Sequence, residues 1–285
     1  MDDGWILVDN AHKCEAAQRD MLGARHVGLD TEYDSFRYFR EKLCLIQIST
    51  ESHAYIFDPL LEIDFSFLGE VFEDPATVKI IHACDNDVRL LGRDYGFRFT
   101  NIFDTYRAGS LLGLTPLSLK SIMEECLGVE LKKTKKIQRS RWDIRPLTDE
   151  QLEYAALDTR YLIALYHFLT EQLTANNLEG AAQEAFDKMT RVKWHEKTFN
   201  PKGFFTVDGY DDLEECQKLR LKRLYHWRFE TARKTNTASF LVLSDRAIVE
   251  LSKEETGTVE SLCEAGILSA KKVQAFGSEI IKILR

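Results

Sequence analysis

No CxxC pair, no long apolar run, no internal repeat and no excess of positive charge occur in this 285-residue chain. Each absence closes a possibility. The six cysteines, at 14, 44, 84, 126, 216 and 263, lack the spacing of a structural zinc site or a secreted disulfide framework, and they point to a reducing compartment. No stretch approaches the roughly 18 apolar residues of a membrane span, so no membrane association is expected. Met1-Asp2-Asp3-Gly4 has neither a basic region nor an apolar core, so no signal peptide is expected and a cytoplasmic location is. The net charge of −8 argues against binding a polyanion through the overall field, so any such affinity has to be local. What remains is a chain of ordinary hydrophobic content (44%), long enough for two domains.

The stretch Gly28-Leu29-Asp30-Thr31-Glu32-Tyr33 alternates apolar and acidic residues and reads as a strand. Trp5–Val8 reads as a strand before it, followed by a helix from residue 10 or 11 to Gly23. Leu43–Ile48 and Ala54–Phe57 follow the acidic strand, and short loops suggest an antiparallel meander. From Val78 the rhythm changes to alternating strand and helix. Strands are expected over Lys79–His82 and Phe99–Phe103, and helices over Asp85–Asp94, Thr105–Leu112 and Ser118–Leu127. One long helix from Asp149 to about Leu173 opens on Thr148 with Gln151 three residues on. The fold class is α/β, a mixed sheet flanked by helices. The pattern breaks around Asn200–Gly203. Beyond it, helices over Leu213–Lys234, Asp245–Leu251, Val259–Glu264 and Ala270–Leu284, with Ser244, Thr258 and Ser269 as N-caps, make a small all-α domain. The expected domains are 1–195 and 208–285.

Side chains at i and i+2 of a strand leave on one face, so Asp30 and Glu32 stand side by side. Such a pair is either solvated at a strand edge or held by something positive, usually a divalent cation. Asp85-Asn86-Asp87 opens a helix after a buried strand. Asp85 reads as its N-cap, whereas Asp87 lies further along and needs another reason. Tyr154 and Asp158 are four apart and share a helix face in an otherwise apolar stretch. Four carboxylates and a phenol from three segments suit two magnesium or manganese ions, since hard cations prefer carboxylate oxygens. Two such ions roughly 4 Å apart can activate water and stabilise a leaving 3′ oxygen in phosphodiester cleavage.

Leu29-Asp30-Thr31-Glu32, His82-Ala83-Cys84-Asp85-Asn86-Asp87 and Tyr154-Ala155-Ala156-Leu157-Asp158 resemble the three exonuclease motifs of the ribonuclease D family. Phe103–Tyr106 and Arg141–Leu147 are similar to its connecting segments, and the C-terminal helices to one HRDC domain. The tyrosine four before the last aspartate marks the DEDDy subgroup. The histidine subgroup would need His at position 153, which is Glu153 here. The resemblance spans nearly the whole chain. It implies a ribonuclease H-like fold and a metal-dependent 3′-5′ exoribonuclease that trims RNA 3′ ends, tRNA precursors or other structured RNA among them, releasing nucleoside 5′-monophosphates. It implies that Asp30, Glu32 and Asp158 hold the ion activating water, that Asp30 and Asp87 position the second, and that Tyr154 orients the water. A 3′-5′ DNA exonuclease of the same fold and an inactive RNA-binding module are the alternatives. The sequence does not give the oligomeric state.

Basic residues supply the candidate substrate contacts. Lys132-Lys133-Thr134-Lys135-Lys136-Ile137-Gln138-Arg139-Ser140-Arg141 precedes the tyrosine helix and is read either as phosphate-binding or as a solvated face. Thr31, His82, Lys135, Lys136, Arg139 and Arg141 are the named candidates. Lys218, Arg220, Lys222, Arg223, Arg228, Arg233 and Lys234 on the first HRDC-like helix either grip substrate or form helix surface. Asp104 reads as a cap or a supporting partner, and Trp142 either as packed in its loop or as stacked on a base.

Overall fold

The computed structural model describes residues 4–130, 135–255 and 257–285, with Lys135 described by its backbone alone. The chain divides into two compact units, residues 1–34 with 42–195, and residues 35–41 with 196–285.

In the first unit β1 (Trp5–Val8) and α1 (Ala11–Met21) lead to β2 (His26–Asp34), β3 (Lys42–Ser49) and β4 (Ala54–Phe57). Then come α2 (Phe67–Glu73), β5 (Val78–Ile81), α3 (Asp85–Tyr95), β6 (Ile102–Asp104), α4 (Thr105–Leu111) and α5 (Leu119–Leu127). The short α6 (Lys135–Gln138) precedes α7 (Asp149–Arg160), α8 (Leu162–Ala175) and α9 (Glu179–Met189). The strands form one sheet in the order β1-β4-β3-β2-β5-β6. The expected meander is present as antiparallel β2–β3 and β3–β4 pairs, while β1 joins β4, and β5 joins β2 and β6, in parallel.

Helices cover both faces, which is why β3 reads as an almost unbroken buried run. On one face Leu29, Ile46, Ile48 and Phe57 meet Phe72, Val88 and Leu91. On the other, Leu45 and Ile56 meet Leu152, Ala155 and Ala156 of α7, and Ile80 and Phe103 meet Leu162, Leu165 and Leu169 of α8. The small residues of α7 let it lie close to the sheet. At Gly28 an added Cβ would stand 2.5 Å from Ser49 Oγ and 3.0 Å from the Thr159 carbonyl oxygen. No side chain fits there.

Three local expectations differ from the structure. The long helix from Asp149 breaks at Tyr161 (φ −105°, ψ 0°) into α7 and α8. Next to the break the Thr159 carbonyl accepts a 2.7 Å hydrogen bond from Ser49 Oγ on the sheet. The N-cap of α3 is Cys84 rather than Asp85, and it makes no side-chain cap bond. The Asp85 carboxylate instead takes the Arg107 guanidinium at 2.9 Å, an ion pair across 22 residues that outcompetes a local cap. The strand expected over 99–103 is confined to β6, because Phe99 is committed to a stack on Phe72.

The second unit holds a 3-10 turn (Gly203–Thr206), α10 (Glu215–Thr235), α11 (Ser239–Val242), α12 (Asp245–Lys253), α13 (Val259–Glu264) and α14 (Ala270–Leu284). Ser244 and Thr258 cap their helices through their side chains, whereas Ser269 caps by position alone. Leu221, Leu224, Ile248, Leu262 and Ile280 form its core together with Phe39. That phenylalanine comes from the β2–β3 loop, and the same loop donates Arg40 N–H to Asn236 Oδ1 (2.7 Å) and accepts Ala238 N–H at the Arg37 carbonyl (2.9 Å). The unit is therefore not the single continuous stretch from 208 that the sequence suggests, since an apolar side chain in a polar loop completes its core.

Candidate active site

Register and alternation decide which groups meet. Gly28 presses on the α7–α8 junction, so Asp30 and Glu32, two and four residues on, point to the same face. Leu29 packs on the opposite face with Val88 and Leu91. On α7, Tyr154 and Asp158 lie one turn apart, with Asp158 buried. The Tyr154 phenol is held far above its ordinary pKa, first by burial and then by the charges of Asp158, Glu32 and Asp30, in that order. Strand and helix thus set Asp30, Glu32 and Asp158 within electrostatic reach of one hydroxyl, which stays protonated at neutral pH. The Trp142 indole packs 5.9 Å from the Tyr154 ring and donates to the Gln138 carbonyl at 3.3 Å, so it is part of the loop's packing.

The second acidic segment arrives from β5 and α3. Asp87 is buried in the first turn of α3 and accepts a hydrogen bond from the Thr31 hydroxyl, which ties it to the strand carrying Asp30 and Glu32. Burial pushes its carboxyl up to about 7, against the Thr31 bond, and the charges of Asp104 and Asp85 push the same way as burial. Asp104 has no exposed surface. It caps α4, accepts the Ala83 and Cys84 backbone N–H groups at 3.0 and 3.1 Å, and is paired with Arg107. That network fixes the turn in which Ala83 takes a left-handed φ of 55°, and so fixes where α3 begins. The imidazole Nδ1 of His82 lies 2.9 Å from Thr105 Oγ1, and the ring meets Tyr106 edge-on.

One polar residue was missed by sequence reasoning. Gln47 stands directly opposite Asp30 in the β2–β3 register. It is fully buried, and neither its amide nitrogen nor its oxygen has a hydrogen-bond partner among the described residues. The available signal was a lone amide in the apolar run Leu43-Cys44-Leu45-Ile46-Gln47-Ile48.

The basic candidates fare unevenly. Residues 131–134, including Lys132 and Lys133, lie outside the described residues, as does the Lys135 side chain. Lys136 and Arg139 are exposed. Arg141 is clamped on Asp143 at 2.7 and 2.8 Å. On α10, Arg220 donates to the Ser252 and Glu254 carbonyls, Arg228 is buried against Leu243 and Asp245, and Arg233 pairs with Glu230. Much of that helix's charge therefore serves its own unit. Among the described residues, no three His, Cys, Asp or Glu side chains stand together as a ready metal-ligand group, and no helix is long and apolar enough to cross a membrane.

A mixed six-stranded sheet, acids on its second strand, and further acids brought in by a helix start and a tyrosine helix define a 3′-5′ exonuclease fold of the ribonuclease H-like type. Residues 6–174 match the family described as 3′-5′ exonuclease and residues 217–284 the HRDC domain. The chain belongs to the 3′-5′ exonuclease family, and the HRDC domain behind the nuclease gives it the two-part organisation of ribonuclease D. It is 30% identical to ribonuclease D of Shewanella sp. (strain ANA-3), over 90% of this chain and 66% of that protein. It is 32% identical to exosome complex component 10 of Mus musculus, over 87% of this chain but only 29% of that protein. The chain thus spans about three tenths of the length of the exosome relatives it matches. The catalytic core of RRP6 from Trypanosoma brucei has the same fold, with a TM-score of 0.88 at 24% identity, over 99% of this chain and 79% of that one.

Proposed function

We propose that this protein is a divalent-metal-dependent 3′-5′ exoribonuclease that trims RNA 3′ ends, tRNA precursors among them, in the cytoplasm. The observation that carries the reading is the convergence of Asp30, Glu32 and Asp158 on the Tyr154 hydroxyl, with Asp87 tied to the same strand through Thr31. The ribonuclease D relative supports RNA as the substrate.

The donor set fits hard cations, because it consists of carboxylates from three segments of one domain. Asp30, Glu32 and Asp158 would hold one Mg²⁺ or Mn²⁺, and Asp30 with Asp87 a second. Like charges at such a site repel, and a bound cation would offset that repulsion. When bound, the cations supply Lewis acidity for the attacking water and for the leaving 3′ oxygen. Tyr154, kept protonated, donates a hydrogen bond that orients the water and is a poor base. Gln47, directly opposite Asp30 across the β2–β3 pair, would donate its amide N–H to that carboxylate in the loaded site and fix its rotamer. Asp104 and Arg107 hold the turn before α3 and so set the reach of Asp87.

Incubating the protein with 5′-labelled RNA and DNA oligomers, with Mg²⁺, Mn²⁺ or EDTA, tests the reading. A ladder shortening from the 3′ end on RNA, abolished by EDTA and by Asp30→Ala or Asp158→Ala, is expected. Undiminished cleavage in EDTA or in either variant refutes it.

A further inference from the structure

An acidic chain that handles a polyanion needs a concentrated basic face, and most lysine side chains of the 132–141 run lie outside the described residues. The structure has such a face elsewhere in the nuclease unit. A cavity of about 960 Å³ lies between α3 with the loop after it and the segment 190–194. Arg89, Arg93, Arg98, Arg191 and Lys193 line it, and among the described residues no acidic side chain does. In a chain of net charge −8, five cations around one hollow are a marked local reversal.

The hollow also carries aromatic surface. The Arg93 guanidinium lies 5.4 Å from the centroid of the Trp194 ring, and Phe97 is stacked on Tyr95 with centroids 5.1 Å apart. Arg93 is held in place by Asp94, at 2.5 and 2.9 Å, and Arg89 by Asn86, at 3.0 and 2.9 Å. Arg191 and Lys193 stand exposed at the opposite wall. Val88, Val192 and Phe99 form an apolar floor. Cations tracking a backbone beside flat aromatic faces are what single-stranded nucleic acid requires, and the volume suits one or two nucleotides. Arg89 is two residues beyond Asp87 on the same helix and so points away from it. Val88 and Phe99 of the floor pack on the sheet face opposite Asp30 and Glu32, so the hollow lies behind the acids, where only a strand long enough to pass α3 arrives.

Resting on the exoribonuclease reading above, we propose that the hollow between α3 and residues 190–194 is a second RNA subsite. It holds phosphates and bases of the strand upstream of the 3′ end. The exposed wall of Arg191 and Lys193 binds the phosphates, and Trp194 stacks on a base. Long substrates occupy it and the shortest ones do not reach it.

The test is fluorescence-anisotropy binding of labelled single-stranded RNA in EDTA, which prevents cleavage, beside turnover on a trinucleotide in Mg²⁺. Arg191→Glu with Lys193→Glu is expected to raise Kd for a ~12-nucleotide RNA at least tenfold. It also flattens the log–log salt slope by about 0.7 for each phosphate no longer neutralised. Arg191→Gln with Lys193→Gln does the same more weakly, and both leave kcat on the trinucleotide unchanged. Trp194→Leu weakens binding with little change in the salt slope. An unchanged Kd and slope in the charge-reversed protein overturns the proposal. So does an equal loss on trinucleotide and long RNA. A wild-type protein that binds long RNA through these residues yet never shortens it would sink the nuclease reading and leave the subsite standing.

Discussion

Replacing Gln47 by Met separates stability from activity at this site. The amide is fully buried with neither polar end paired among the described residues. A buried group without a partner costs on the order of 1–3 kcal/mol. Methionine keeps an unbranched chain of similar length and adapts to the space among Leu45, Ile56 and α7. The metal-free variant is therefore expected to be more stable than wild type by about 1–3 kcal/mol, and a unit of this size gains about 2–4 °C in Tm per kcal/mol. The same change removes the hydrogen bond proposed to a charged carboxylate, which is worth about 1.5–3 kcal/mol. At ~1.4 kcal/mol per tenfold, kcat falls by roughly 10- to 150-fold. KM hardly moves, because the bond orients Asp30 rather than substrate. Calorimetry in EDTA and steady-state kinetics in Mg²⁺ read the two effects independently. A lower Tm with full activity would show that Gln47 is simply packed, and that reasoning from its unpaired amide is wrong.

Tyr154→Phe retains the ring against Trp142 and removes the hydroxyl, so kcat is expected to fall with KM nearly constant; a rise in KM alone would make Tyr154 a binding residue. Asp87 gives a pH dependence. Its carboxyl is raised to about 7 in the folded protein from an ordinary value near 3.8, so the folded state holds the proton more tightly than the unfolded chain. Its contribution to metal-free stability is full below about pH 4 and is lost as pH rises through about 7. Asp87→Asn removes that slope, and denaturant melts in EDTA at pH 5 and pH 8 check it; an identical loss of stability in the variant refutes the assignment.

The acidic strand was legible because one face of β2 carries Asp30 and Glu32 while Leu29 and Val27 on the other are buried, an alternation with the period of a strand. Tyr154 and Asp158 were legible for the equivalent helical reason. The helix break at Tyr161 was not, because the apolar pattern runs through it and its cause, the Ser49 hydroxyl on the Thr159 carbonyl, is 110 residues away in sequence. Asp85 looked like a cap because capping is local, and its real partner Arg107 is not. Gln47 was hidden inside a run whose hydrophobicity announced a buried strand and nothing more. The basic hollow was invisible because its cations come from 89–98 and 191–193, and no single window holds enough charge to stand out. For α10 the two readings, a gripping face or plain helix surface, stayed open because a sequence window counts cations without showing that carbonyls and acids of its own unit already engage Arg220, Arg228 and Arg233.

The β2–β3 loop places Phe39 in the helical unit's hydrophobic core, buried to 4% exposure, with the Arg40 and Arg37 backbone bonds beside it. The helical unit is thus a discontinuous piece of chain. A scissile point chosen after residue 195 yields a C-terminal fragment with a hole where an aromatic ring belongs, a defect that costs about 3–5 kcal/mol when made by substitution. The complementary nuclease fragment inherits a loop with an orphaned ring at its tip, on the hairpin that carries Asp30 and Glu32. Losses seen after such a cut report damage to both halves. To ask what the helical unit contributes, the chain has to be left whole and altered one side chain at a time.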